Sequence, residues 1–231
     1  MGRDVIIACD FSDAGTTLEF LSRFGERKPF VKIGMELYYS AGPDIVKKIK
    51  DLGCRIFLDL KLHDIPNTVK KTTAVLSRLD VDMTNLHAAG GSVMMCAAAE
   101  EIKSSGAKTK LIAVTQLTST SEEALRDELL IGASMEETVT AYARLAMKSG
   151  LDGVVCSPLE AGKVHAVCSP EFLTVTPGVR FDEESRGDQT RIATPARARE
   201  LGSDYIVVGR PITASPDPVA AYERCMREFV D

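Results

Sequence analysis

The chain has 231 residues, and its 28 Lys and Arg against 33 Asp and Glu leave a formal charge of −5. Hydrophobic residues make up 45% and charged residues 26%, which excludes a disordered or fibrous chain, and no apolar run approaches the roughly 18 residues that cross a membrane. An isoelectric point near 5.4 argues against nucleic acid as the main partner but leaves an anionic substrate open, because local fields matter more than net charge.

Met-Gly-Arg-Asp runs straight into Val5-Ile6-Ile7-Ala8 with no signal-like segment, so a cytoplasmic protein is expected. From there short runs rich in Val, Ile, Leu or Phe alternate with helical patterns. Strands are expected at Val5–Asp10, Phe30–Gly34, Arg55–Lys61, Met83–Ala88, Lys110–Gln116, Gly153–Ser157, Leu173–Thr176 and Tyr205–Val208. The helices between and after them are expected at Ala14–Phe24, Gly42–Leu52, Thr68–Leu79, Ser92–Ser104, Met135–Lys148, Pro158–Val167, Pro195–Leu201 and Pro218–Phe229. Gly53, Gly106, Gly150 and Gly202 punctuate the junctions.

Eight strand–helix units imply an α/β protein with a single (β/α)₈ TIM barrel spanning 1–231. The alternative, a doubly wound open sheet, would carry a Gly-rich phosphate loop after strand 1, where this chain has Asp10-Phe11-Ser12-Asp13. Six cysteines lack CxxC or zinc-ligand spacing and read as reduced, mostly buried thiols. HExxH, GxSxG, Walker A and GxGxxG patterns are absent.

In a barrel, chemistry belongs at the C-terminal ends of the strands. The polar residues there are Asp10, Lys32, Asp59 with Lys61, His87, Gln116 with Thr118, Ser157, Thr176, and Gly209-Arg210. The third strand is the most informative. Alternation puts Phe57, Asp59 and Lys61 on one face and Ile56, Leu58 and Leu60 on the other. Charges inside a barrel strand are costly, and a buried ion pair is weak evidence for a stabilising role, so a functional reading is favoured. Lys32 adds a second interior lysine on the neighbouring strand, its alternative being a side chain that snorkels to the barrel mouth. Asp64 follows in the sequence and could instead cap the next helix, as could Asn67. Nearby carboxylates favour the ammonium form of a lysine, so Lys61 between Asp59 and Asp64 reads as a proton donor rather than a Schiff-base nucleophile, though Lys32 keeps an aldolase open.

At the same mouth of the barrel, Thr176-Pro177-Gly178-Val179-Arg180 and Gly209-Arg210 follow strands 7 and 8, where such barrels often bind phosphate. Glycine admits an anion close to the backbone, and arginine grips phosphate with two donors. The charged stretch 180–193 between them reads as solvated surface or as a lid, with Gln189 placed to contact phosphate or base on closure. His87 lines the site or is structural, and His63 reads as structural.

Asp59-Leu-Lys61-Leu-His-Asp64-Ile65-Pro-Asn-Thr68 resembles the active-site segment of the orotidine 5′-phosphate decarboxylase family, in its short bacterial form. Phe-Val-Lys32-Ile-Gly, Asp10, Thr-Pro-Gly-Val-Arg180, Asp-Gln189 and Val-Gly209-Arg210-Pro-Ile agree, so the resemblance runs nearly end to end. It implies cofactor-free, metal-free decarboxylation of orotidine 5′-monophosphate to UMP, the last step of de novo pyrimidine synthesis. It further implies that Lys61 protonates C6 within a Lys32–Asp59–Lys61–Asp64 array, with Lys32 also at the ribose. Asp10 would contact the ribose hydroxyls and Thr118 the pyrimidine. Arg180, Gln189, Gly209 and Arg210 would hold the phosphate, with Gln189 bridging towards the base. Asp64, Ile65 and Thr68 would reach the partner's site in a homodimer.

Other readings have weaker support. A metal-dependent sugar-phosphate decarboxylase or aldolase of the same barrel group would carry an acid where Lys32 stands. An epimerase needs a His/Asp metal set drawn from several strands. A non-catalytic nucleotide-phosphate binder would have no need of four interior charges.

Overall fold

A computed structural model describes residues 2–181 and 192–231. The strands are apolar on both faces, the pattern that drives a parallel sheet to be covered on both sides. The elements in order are β1 (Asp4–Ala8), α1 (Ala14–Ser22), β2 (Phe30–Gly34), α2 (Met35–Ala41), α3 (Asp44–Asp51), β3 (Arg55–Leu62), α4 (Pro66–Ser77), β4 (Met83–His87), α5 (Gly91–Ser105), β5 (Lys110–Val114), α6 (Glu122–Asp127), α7 (Met135–Lys148), β6 (Gly153–Val155), α8 (Ala161–Val167), β7 (Leu173–Thr176), α9 (Pro195–Glu200), β8 (Tyr205–Val208), α10 (Arg210–Thr213) and α11 (Pro218–Phe229). All neighbouring strands pair in parallel and β8 closes on β1, so the sheet is a closed eight-stranded barrel. The (β/α)₈ expectation holds.

Several boundaries differ from the sequence reading, for local reasons. β1 stops at Ala8 and β5 at Val114, and Asp10 and Gln116 beyond them line the barrel mouth, whereas β6 stops at Val155 and Ser157 beyond it caps the turn that follows. Three short helices, α2, α6 and α10, were not anticipated. α6 is capped by Ser121, whose side chain accepts from the Ala124 N–H, and α7 carries a full capping box between Ser134 and Glu137. The helix expected over Pro158–Val167 splits into a 3₁₀ turn, Pro158–Glu160, and α8.

Strand alternation builds the interior in layers. One face of the strands packs outward against the helices, and Ile56, Leu58 and Leu60 of β3 lie there. The other face fills the barrel with Ile6, Phe30, Phe57, Met83, Ile112, Leu173 and Tyr205. The residues two further along the chain, in the same phase, include Ala8, Lys32, Asp59, Val114 and Val207, and these line the open upper end. An apolar plug therefore closes the lower barrel and leaves a polar cup above it.

Polar groups near the N-terminal ends of the strands serve stability. His165 Nε2 lies 3.0 Å from Asp204 Oδ2, and that oxygen also accepts from the N–H and hydroxyl of Thr174. The hydrogen bond to Asp204 holds the His165 pKa above its ordinary 6.5, while burial of Asp204 is outweighed by His165 and Thr174, which hold its carboxyl below 3.8. The histidine contributes stability that is complete below pH 6.5 and lost as pH rises through its raised value. The carboxylate contributes stability that is present above pH 3.8 and lost as pH falls. Urea unfolding of the parent and of His165→Ala is expected to differ most between pH 3.8 and 6.5. The gap should be about 1 kcal/mol and shrink in more alkaline buffer, and a gap independent of pH would reject the linkage.

Candidate active site

The cup at the upper end of the barrel is a cavity of about 510 Å³. That is the size of a small-molecule site, for which a few hundred to about 1,000 Å³ is usual. Its floor is Ala8, Phe57, Val155 and Val207. One wall carries charge. Lys61 Nζ donates to Asp59 Oδ1 at 2.7 Å, Lys32 Nζ lies 3.4 Å from Asp59 Oδ2, and Lys32 Nζ also donates to Asp10 Oδ1 at 2.8 Å. The array within one chain is therefore Asp10–Lys32–Asp59–Lys61, alternating in sign across β1, β2 and β3. Gly34 makes room for it: a Cβ at that position would lie 3.1 Å from Asp10 Oδ1 and 3.2 Å from Lys32 Nζ.

Lys32 and Asp59 are buried. Burial opposes the charge on each, yet the partners win. Asp59 and Asp10 hold the Lys32 pKa above the ordinary lysine value, and Lys32, Lys61 and the hydrogen bond from Asn85 hold the Asp59 carboxyl below 3.8. Both groups are ionised at neutral pH. An isolated buried carboxylate costs several kcal/mol, so the two ammonium groups are what makes this position tenable.

Lys61 does not continue the strand regularly. Its φ is +52°, in the left-handed region that non-glycine residues avoid, and the pairing of β3 with β4 shifts register between Leu58 and Leu62. Two hydrogen bonds hold the bend. The Lys61 N–H donates to Asn85 Oδ1 at 2.8 Å, and Asn85 Nδ2 donates to Asp59 Oδ1 at 2.7 Å. Sequence reading passed over Asn85. The available signal was its phase: in Met83-Thr-Asn85-Leu-His87 it shares the inward face with Met83, two residues away.

The opposite side of the cup is lined by glycines and arginines. Gly178 and Arg180 after β7, and Gly209 and Arg210 after β8, line the same cavity. The segment is pinned at its base by the Arg180 N–H to Ala193 carbonyl bond of 3.1 Å and the Ala193 N–H to Gly178 carbonyl bond of 3.2 Å. Thr118, buried after β5, lines the wall between the two ends together with Gln116 and Ser119. The cup thus joins the Gly and Arg residues that follow β7 and β8 to the charge array of β1, β2 and β3.

The remaining candidates lie elsewhere. Asp64 is exposed, outside the cavity of its own chain, and its Oδ1 accepts from the Ile65 N–H at 2.6 Å. Ile65 is 67% exposed and Thr68 is exposed. Gln189 falls outside the described residues. His87 is half-buried and does not line the cavity; its ring centroid lies 5.5 Å from that of His63, and burial, then His63 and Lys61, hold its pKa below 6.5. Because the strand bends at Lys61, the alternation that would turn His63 away no longer applies. Four of the six cysteines are buried and the other two half-buried. Among the described residues no three His, Cys, Asp or Glu gather as metal ligands.

Residues 3–225 match the Orotidine 5'-phosphate decarboxylase / HUMPS family. The chain belongs to that family. An orotidine 5′-phosphate decarboxylase of Geobacillus sp. strain WCH70 is 53% identical over 233 residues, covering 99% of this chain and 98% of its own. That of Bacillus cytotoxicus is 52% identical with the same coverage. The crystal structure of orotidine 5′-phosphate decarboxylase from Lactobacillus acidophilus superposes with a TM-score of 0.88 at 45% identity, covering 99% of this chain and 100% of the other. The layered barrel is thus shared with proteins of nearly equal length.

Proposed function

We infer that this chain is an orotidine 5′-monophosphate decarboxylase, releasing CO₂ and UMP in pyrimidine biosynthesis. Family membership supports the reaction, and one observation carries the mechanism: an ammonium held 2.7 Å from a buried carboxylate at the wall of the cup, across from the Gly209-Arg210 anion pole. Breaking the C6–carboxylate bond expels CO₂ and leaves its electron pair on C6, in the ring plane, where the pyrimidine π system cannot spread it. Stabilisation must be electrostatic and prepositioned. Lys61 Nζ supplies it and then gives its proton to C6.

Asp59 orients Lys61 and stands near the departing carboxylate. Lys32 and Asp10 hold the ribose hydroxyls, Thr118 meets the pyrimidine, and Arg180, Gln189, Gly209 and Arg210 hold the phosphate. Phosphate binding, remote from C6, supplies energy that keeps the site assembled. The exposed Asp64, Ile65 and Thr68 support a homodimer in which each chain lends this segment to its partner's cup. Both oxygens of Asp59 already face cations or donors (Lys32 on Oδ2, Lys61 and Asn85 on Oδ1), which favours this reading over a metal-assisted sugar-phosphate reaction.

The test is direct. Purified protein mixed with orotidine 5′-monophosphate in EDTA should consume the orotate-type absorbance and yield UMP. Folded protein that leaves that substrate untouched, yet turns over a sugar phosphate with Mg²⁺, would overturn the assignment.

A further inference from the structure

We propose that Asn85 is a positioning residue for the decarboxylation, a two-point clamp that sets where the Lys61 ammonium stands. The proposal rests on the reading of Lys61 as the proton donor. The geometry is specific to that task. Asn85 is fully buried on β4, and its side-chain amide spends one end on each half of the reacting pair. Its oxygen accepts the Lys61 N–H at 2.8 Å, the bond that accompanies the left-handed turn at Lys61, with φ +52°. Its nitrogen donates to Asp59 Oδ1 at 2.7 Å, the same oxygen that receives Lys61 Nζ at 2.7 Å.

Without the first bond, a strained non-glycine turn loses its support and the Lys61 side chain is free to follow the regular strand. Without the second, the Asp59 carboxylate loses a donor that fixes its plane, and with it the direction in which Lys61 is held. A hydrophobic residue of similar volume would fill the space and supply neither bond. An aspartate would keep the acceptor for the Lys61 N–H but replace the donor by a second carboxyl against Asp59. Two carboxyls at that distance cannot both ionise freely, so the introduced group would act as a donor only while it keeps its proton. The other charged or titratable groups near it are Lys61, Lys32 and His87.

The experiment measures kcat for orotidine 5′-monophosphate and the dissociation constant of UMP for the parent, Asn85→Ala, Asn85→Asp and Lys61→Ala. A misplaced reacting group costs on the order of 100-fold. Asn85→Ala should therefore lose about 100-fold in kcat while its UMP affinity stays within about threefold of the parent. Asn85→Asp should recover kcat in acid buffer and lose it as pH rises, relative to the parent profile. Asn85→Ala with parental kcat, or with kcat and UMP affinity falling together, would overturn the clamp. So would an Asn85→Asp profile parallel to the parent's, which decides the matter if Asn85→Ala does not fold. An active Lys61→Ala would instead overturn the proton-donor reading itself, which separates the two failures.

Discussion

Lys61→Ala protein is expected to lose turnover by about 10⁴-fold, because one substitution removes both the charge that stabilises the C6 carbanion and the proton that quenches it. The interior position of the side chain makes the loss hard to replace. Lys32 is the other ammonium on Asp59, but its Nζ is committed to Asp10 at 2.8 Å and to the far oxygen of Asp59 at 3.4 Å. The phosphate contacts proposed for Gly209 and Arg210 lie at the end of another strand, so affinity for UMP should remain near the parent value. Calorimetric titration with UMP together with a progress curve measures both quantities on one sample. Near-parental kcat would remove Lys61 from the mechanism. Equal loss of kcat and UMP affinity would assign it to binding instead.

The second large effect concerns Asp64. Within its own chain this carboxylate only receives the Ile65 N–H and stands in solvent, so a chain on its own has no evident use for it. If it completes the partner's array, Asp64→Ala dimers should lose most turnover, and mixing them with Lys61→Ala dimers should restore some. After subunit exchange half of the dimers are mixed, and one site in each then has both Lys61 and Asp64, so about one quarter of parental activity should return. Absence of rescue, with exchange verified by a tagged subunit, would mean that each cup is built from a single chain.

Much of this site was legible in the residues because a strand has a period of two. Phe57 and Asp59 share the inward face of β3, Phe30 and Lys32 that of β2, and Ile112 and Val114 that of β5, as alternation requires. Gly209-Arg210 and Pro177-Gly178 were legible as strand-end residues of the barrel mouth, and they line the cup. Alternation also put Lys61 with Asp59, and both line the cup, but it could not show that the backbone leaves the strand there: the two meet through a left-handed turn and a register shift, and His63 comes beside His87 for the same reason. Asp10 enters the array because β1 ends at Ala8 and the chain turns over the mouth beside Gly34.

The amino-acid sequence by itself determined the number and order of the strands, the inward face of each, and the residue types at the barrel mouth, because these depend on local periodicity and side-chain chemistry. The tertiary structure decided which of those groups meet. Closure of β8 on β1 and the pairing of β3 with β4 set distances between residues far apart in the chain. Asn85, Asp59 and Lys61 form one hydrogen-bonded unit only there, because a contact across strands is fixed by register rather than by anything in either strand alone.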